Sequence, residues 1–120
     1  MQKIDGQIAW VYTDALKTGV TFYRDTLGLK VARDAGSAMI FETGPGAFLG
    51  ICEVFGDRVV EPKGGMITIL TDDVDGWYAK LKTKGVVLQG APQRLEKFGI
   101  YSFFCVDPNG YIIEFQCFVD

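Results

Sequence analysis

Two stretches of the chain repeat one pattern, in which an apolar strand is followed by an amphipathic helix. The first begins with apolar residues 8–12, and apolar side chains then recur over residues 16–27 before Gly28. An apolar side chain at every third or fourth position is typical of a helix that packs one face on a core. Apolar residues 66–70 begin the second stretch, which runs through a similar stripe to Gly85. The pattern therefore predicts two strand–helix pairs, each ending at a glycine.

A Thr-Asp pair stands between the strand and the helix in both stretches. Thr13-Asp14 and Thr71-Asp72 are 58 positions apart. Threonine and aspartate oxygens accept hydrogen bonds from the free N–H groups of a first helical turn. We therefore predict that each pair caps its helix and that the chain repeats itself with this offset.

Three strand-like segments follow each predicted helix. In the first half they are residues 29–33, 38–43 and 48–55, and in the second half residues 86–89, 100–106 and 111–118. Asp107-Pro108-Asn109-Gly110 predicts the turn of the last hairpin, because proline presets such a turn and glycine accepts its left-handed position. The polar residues 90–98 are interpreted as a loop.

The predicted fold class is α+β, with two βαβββ modules in one chain. The modules are residues 1–60 and 61–120 of a single domain that spans residues 1–120, with residues 61–65 as the linker. A module of about 60 residues buries too little surface to be comfortable alone. We expect the two modules to form one curved, eight-stranded sheet around a cavity, with the helices outside. That cavity is the expected ligand site.

The composition narrows the chemistry. Histidine is absent, which excludes Ser–His–Asp, Cys–His and zinc–histidine sites. The net charge of -3 offers no basic patch for nucleic acid. Three cysteines and no apolar leader in the first residues predict reduced thiols in a cytoplasmic protein. No apolar run is long enough to span a membrane.

Three segments carry a resemblance to a known family: "FYRDTLGLKV" (22–31), "TDDVDGWYAKLKTKGV" (71–86) and "DPNGYIIEF" (107–115). In this order and spacing the chain resembles the vicinal oxygen chelate superfamily, which includes glyoxalase I, bleomycin-resistance proteins and extradiol dioxygenases. The resemblance implies the doubled fold. It also implies a divalent metal held by side chains from the first and last strands of each half, which acts as a Lewis acid.

Carried over to this sequence, the implied metal positions are only partly filled by ligating residues. Glu114 matches the last-strand carboxylate of the second half, and Glu53 matches that of the first if Ile51-Cys52-Glu53 is laid on Ile112-Ile113-Glu114. Met66 stands at the second first-strand position, and either Ile8 or Gln7 at the other. A metal site would thus consist of Gln7, Glu53 and Glu114, which suits magnesium or manganese. The hydrophobic replacements favour loss of the metal, so no cofactor is expected.

Strand alternation predicts what would line a pocket without metal. Trp10 and Tyr12 share one strand face, and Met66 and Thr68 share the corresponding face of the second half. Together with Glu53 and Glu114 these residues form the predicted ligand site, which suits an aromatic or cationic compound. A Trp or Tyr on a strand is, however, also an ordinary core residue.

Three functions stay open on these residues. The favoured one is a small-molecule-binding protein that resembles the bleomycin-resistance group and sequesters its ligand, as a homodimer. The second is a divalent-metal-dependent lyase, isomerase or dioxygenase with Glu114 as ligand or catalytic base. The third is an accessory module that makes only protein contacts. No nucleic-acid or membrane partner is expected.

Overall fold

The structure, a computed structural model, describes residues 2–119. The chain divides between Glu61 and Pro62 into two compact units, and each has the order strand, helix and then further strands. The first unit contains β1 (Gln7–Thr13), α1 (Leu16–Thr21), a π-helical turn (Phe22–Thr26), β2 (Lys30–Asp34), β3 (Ala38–Gly44) and β4 (Ala47–Glu53).

The sheet of the first unit has the strand order β1-β4-β3-β2, with β1 parallel to β4 and the other pairs antiparallel. Its helix packs closely on one face, because a Cβ added at Gly19 would lie 2.1 Å from the Ile51 side chain. Tyr23 and Phe41 meet on the same face with ring centroids 6.0 Å apart. These contacts place the core of the first unit between its helix and its sheet.

The helix of the first unit changes its hydrogen bonding half-way. The predicted helix is α-helical only to Thr21, and the Leu27 N–H then donates to the Phe22 carbonyl at 2.8 Å, a step of five residues. The turn still brings Tyr23 and Leu27 to full burial, as the apolar stripe predicts. Gly28 follows with φ 74°, the left-handed conformation that ends a helix.

The second unit contains β5 (Met66–Leu70), α2 (Val74–Thr83), β6 (Val87–Leu88), β7 (Gln93–Leu95), a 3-10 turn (Glu96–Phe98), β8 (Ile100–Val106) and β9 (Ile112–Phe118). Its sheet has the order β5-β9-β8-β6, and β7 also pairs with β8. The α2 side chain Trp77 stacks on Phe115 at 4.7 Å, and Phe115 stacks on Phe103 at 5.2 Å. This stack is the core of the second unit.

The Thr-Asp pairs do not cap the helices as predicted. The Thr13 hydroxyl accepts from the Ala15 N–H, and the equivalent Thr71 hydroxyl accepts from the Asp73 N–H. Both threonines therefore close a short turn before the helix. The cap of α2 is Asp73, whose carboxylate accepts from the Gly76 N–H at 3.1 Å, while the cap position of α1 is the alanine.

The α+β class and the doubled βαβββ plan are confirmed, and the predicted strands agree with the observed ones within two residues. The segment interpreted as a loop contains an additional strand, β7, so the described residues form nine strands and not eight. Three residues are too few to show alternation, and β7 is held by its pairing to β8. Enclosure of a cavity by one curved sheet stays a prediction. Neither helix within residues 2–119 is long and apolar enough to cross a membrane.

Candidate functional site

Each sheet has one face that carries a helix and one that does not, which we call its open face. In β9, Ile113 and Phe115 are fully buried on the helix side, so alternation directs Glu114 to the open face. Thr68 of β5 lies directly opposite Glu114 in a parallel pair. Thr68 and Glu114, both predicted as ligand-site residues, are therefore direct neighbours across the β5–β9 pair.

Glu114 is a buried carboxylate with neutral hydrogen-bond donors. It is only 3% exposed. The Thr68 hydroxyl donates to its Oε1 at 2.7 Å, and the Gln116 side-chain amide donates to the same oxygen at 2.9 Å. Within residues 2–119, no lysine or arginine pairs with Glu114 and no hydrogen bond reaches its Oε2. A buried charge of this kind is costly unless a cation or further donors compensate it.

An apolar pocket of about 330 Å³ lies over Glu114 on the open face of the second unit. Apart from Glu114 and Gln116, its walls are aliphatic and aromatic, formed by Met66, Leu95, Phe98, Ile100, Phe104 and Phe118. Met66, predicted as a ligand contact, is thus part of the lining. Among residues 2–119, the one ionisable group in this lining is therefore a carboxylate set in mainly apolar walls.

Several lining residues were missed by the sequence reasoning. Gln116 and Phe118 lie two and four positions after Glu114 on the same strand, so alternation alone could have found them. Phe104 faces Glu114 directly across the β8–β9 pair, which the predicted hairpin turn could have indicated. Phe98 comes from the 3-10 turn after β7, and no pattern in the sequence placed it here.

Trp10 occupies the open face of the first unit. Val11 and Thr13 are buried on the helix side of β1, so Ile8, Trp10 and Tyr12 share the open face, as alternation predicted. The Trp10 indole lies across Gly50, since a Cβ added there would be 2.4 Å from the ring. The indole is still 40% exposed. Tyr12 meets Phe55 on this side with centroids 6.4 Å apart.

Strand register corrects the proposed role of Glu53. Thr68 pairs with Glu114 in the second unit, and Trp10, 58 positions before Thr68, pairs with Gly50. The counterpart of Glu114 is therefore Gly50. Glu53 lies three residues further along β4, paired with Thr13, exposed, and beside Lys17 and Arg24 of the helix side. The alignment of Ile51-Cys52-Glu53 with Ile112-Ile113-Glu114 was wrong. The two segments are similar in residue type, but the alignment is off by three positions, which moves the side chain to the opposite face of the sheet.

Gln7 and Glu53 cannot bind one metal ion together. Gln7 pairs with Ala47 at the first end of the β1–β4 ladder, and Thr13 pairs with Glu53 at the other. Six residues along a strand span roughly 20 Å. Gln7 also alternates with Ile8 and so is directed away from the open face. The predicted three-residue set of Gln7, Glu53 and Glu114 is therefore wrong as a single site.

One protein-family model matches nearly the whole sequence. The model of the Glyoxalase/Bleomycin resistance protein/Dioxygenase superfamily matches residues 6–115. The chain belongs to this superfamily. Comparison with curated proteins gives no match.

Solved structures of this superfamily's fold are similar to the chain over nearly all of its length. A lactoylglutathione lyase from Agrobacterium tumefaciens has 24% identity and a TM-score of 0.74, covering 92% of this chain and 90% of that one. A glyoxalase/bleomycin resistance protein/dioxygenase from Alicyclobacillus acidocaldarius has 23% identity and a TM-score of 0.76, covering 100% and 96%. TioX from Micromonospora sp. ML1 has 15% identity and a TM-score of 0.78, covering 95% and 98%. Similarity at identities this low shows that the fold is shared. It does not show which activity the chain has.

The residues of this superfamily member do not fit the metal cage that the resemblance implies. The positions that its register brings to the open faces are Ile8, Gly50, Met66 and Glu114. Of these, only Glu114 offers a hard oxygen ligand, and the Trp10 indole fills the space over Gly50. Among residues 2–119, no group of three or more Cys, Asp or Glu side chains is arranged around a common ion position.

Proposed function

We propose that this superfamily member binds a small, mainly apolar molecule that carries a positively charged group, in the pocket over Glu114. The observation that carries the proposal is the buried Glu114 carboxylate, which has two neutral donors on one oxygen and none on the other. A ligand ammonium would supply the missing charge. Hydrogen bonds to a charged group contribute about 1.5–3 kcal/mol each.

The walls of the pocket support the same ligand class. Phe98, Phe104 and Phe118 present aromatic rings, which hold apolar groups and also attract cations through their faces. A volume of about 330 Å³ is at the lower end of the range of roughly 300–1,000 Å³ for ligand pockets, so one ring with a short side chain is the expected size. The nearby cations are already engaged, because Arg94 pairs with Glu96 at 3.1 Å and Lys97 lies over Phe98. An anionic ligand is therefore disfavoured.

We infer sequestration and not turnover, because Glu114 is the one ionisable side chain that the described part of the chain contributes to the lining. Acid–base catalysis in both directions generally needs a second group to return the proton. The proposal thus keeps the favoured expectation from the sequence, with the pocket redefined by β7, the 3-10 turn and β9. The homodimer stays part of the proposal, and multi-angle light scattering of the purified protein would test it.

The test compares two probes that differ mainly in charge. Titration calorimetry at pH 7 with 2-phenylethylamine and 2-phenylethanol should give tighter binding of the amine. Glu114→Gln keeps the shape and removes the charge, so it should weaken the amine by about tenfold or more and leave the alcohol unchanged. Glu42→Gln, at an exposed position of β3, is the matched control and should change neither. Equal affinities for both probes in the native protein would refute the proposal.

A second measurement separates this proposal from the metal-dependent alternative. An ion that binds only the native state raises the unfolding midpoint as its concentration increases. With Mg²⁺, Mn²⁺, Ni²⁺ and Zn²⁺, we expect no rise that depends on Glu114. A rise that disappears in Glu114→Gln would instead support a metal-dependent enzyme with Glu114 as a ligand.

A further inference from the structure

Ser102 carries a buried hydroxyl without a partner. Its residue is only 2% exposed, and within residues 2–119 its Oγ makes no hydrogen bond. Ser102 lies on β8 between Ile100 and Phe104, which both line the pocket, so its side chain is directed to the same open face. Buried hydroxyls are nearly always paired, and an unpaired one lowers stability, so this one calls for a reason.

Ser102 lies opposite the exposed Gln93 of β7 on one side and opposite Gln116 of β9 on the other. Ser102 and Gln116 pair across the β8–β9 ladder, where opposed Cβ atoms are about 4.5–5.5 Å apart. A glutamine amide spans that gap to a serine hydroxyl easily. In this structure, however, the Gln116 amide donates to Glu114 at 2.9 Å. Gln116 therefore has two polar neighbours on one face and uses one of them.

We propose that Ser102 is the alternative partner of the Gln116 amide, and that a cationic ligand moves this amide from Glu114 to Ser102. The inference rests on the proposed function. An ammonium carries several N–H donors and a full charge, so one that binds the free Oε2 and also reaches Oε1 competes for Oε1 more strongly than a neutral amide does. The displaced amide would be left unpaired in an apolar pocket without Ser102. A hydroxyl both donates and accepts, so it can pair with either end of the amide.

This arrangement makes Ser102 a positioning residue for charge selection. A neutral ligand leaves Gln116 on Glu114 and gains nothing from Ser102. A cation takes over the carboxylate, and Ser102 then stabilises the bound state by receiving Gln116. The unpaired hydroxyl of the free protein is thus a feature whose benefit is confined to the complex with a cation.

The experiment removes the hydroxyl and reads the charge preference. Titration calorimetry of Ser102→Ala should show 2-phenylethylamine weakened about three- to tenfold and 2-phenylethanol unchanged. Without ligand, its unfolding midpoint should equal or exceed that of the native protein, because an unpaired buried group has been removed. Ser37→Ala, at an exposed position of the first unit, is the matched control and should change neither quantity.

A double-mutant cycle tests the route through Gln116. In a Gln116→Met background, Ser102→Ala should no longer affect binding of the amine, because no amide remains to be moved. Addition of the amine should also shift the side-chain NH₂ resonances of Gln116 in the native protein, and this shift should differ in Ser102→Ala. A purely structural serine would leave the charge preference and this coupling unchanged.

Two results would overturn the inference while leaving the proposed function intact. One is amine binding that depends on Glu114 and is unaffected by Ser102→Ala or affected equally with methionine at position 116. The other is a lower unfolding midpoint of ligand-free Ser102→Ala, which would mean that the hydroxyl already has a partner in the free protein. Failure of both probes to bind the native protein would refute the proposed function and this inference together.

Discussion

The two units place opposite chemistry at one equivalent position of their open faces. In the second unit that position is Glu114, buried and hydrogen-bonded by Thr68. In the first it is Gly50, which pairs with Trp10 and lies under its indole. The backbone pairing around the two positions is the same, because both lie in a last strand that runs parallel to the first strand of the unit.

The difference extends to the neighbours that support the charge. Thr68 and Gln116 supply both hydrogen bonds to Glu114. At the equivalent positions of the first unit stand Trp10, whose ring covers Gly50, and Cys52, whose thiol donates to the Glu53 carbonyl. The carboxylate and its two donors are therefore present together or absent together. This teaches that a shared backbone does not specify a charged site, and that a buried carboxylate needs its whole set of neighbours.

Restoring the carboxylate in the first unit should have the largest effect. Gly50→Glu would push a side chain into the Trp10 indole and bury a charge without donors. We expect the free energy of unfolding to fall by about 3 kcal/mol or more, measured by urea denaturation.

Gly65→Glu is the matched control for this substitution, because a Cβ added at Gly65 has no described neighbour within 4 Å. Its effect should stay within about 0.5 kcal/mol. Trp10→Ala combined with Gly50→Glu should recover part of the loss by opening the space. If Gly50→Glu alone is as stable as the native protein, the indole does not occupy that position in solution.

A smaller effect is expected from removing one donor in the second unit. Thr68→Val keeps the shape of the side chain and leaves Glu114 with one hydrogen bond fewer. We expect a loss of about 1–2 kcal/mol in the free energy of unfolding at pH 7. Thr43→Val on β3 is the control, since Thr43 makes no side-chain hydrogen bond to a described residue. Equal effects of the two substitutions would mean that the Thr68 hydroxyl does not support the carboxylate.

The cysteines give the mildest contrast, which is between one buried thiol and two partly exposed ones. Burial, and next the charge of Asp107, raise the pKa of the Cys105 thiol to about 12, whereas Cys52 and Cys117 are partly exposed. With Ellman's reagent at pH 8, Cys52 and Cys117 should react in the native protein and Cys105 only after unfolding.

The raised pKa of Cys105 also sets a direction for stability against pH. The unfolded chain releases this proton near its ordinary value of 9.0, and the folded chain only near 12. Between these values deprotonation favours the unfolded state, so the free energy of unfolding should decline as pH rises. Cys105→Ala should show a shallower decline over the same range in alkaline denaturation. Identical slopes would contradict the burial of this thiol.

The repeated pattern was enough to predict the doubled plan, because strand alternation and helical spacing are local. Strand β8 was predicted with its observed bounds, and β5 likewise. The prediction of the helix caps was wrong for a local reason. The hydroxyls of Thr13 and Thr71 each accept from the backbone N–H two residues later, which closes a turn before the helix. Strand β7 was not predicted for a non-local reason, because it is held by pairing with β8.

The site was harder to predict than the fold, because it depends on register. Glu114 was identified from the motif at residues 107–115. Glu53 was mistaken for its counterpart, because similarity in residue type does not show which positions of two strands pair. Phe98 lines the pocket because of the 3-10 turn that precedes β8. The spacing of apolar residues in the sequence does not indicate such a turn. Strand alternation grouped Trp10 with Ile8 and Tyr12 on one face, but its position over Gly50 depends on the side-chain conformation, which alternation does not specify.

The strand order has a consequence for attempts to dissect the molecule. Within residues 2–119, β1 and β5 each have a paired neighbour on one side only, and both are rich in apolar residues and free of charge. Uncharged edge strands of this kind invite pairing with another chain. Either half expressed alone should therefore be prone to aggregate through β1 or β5.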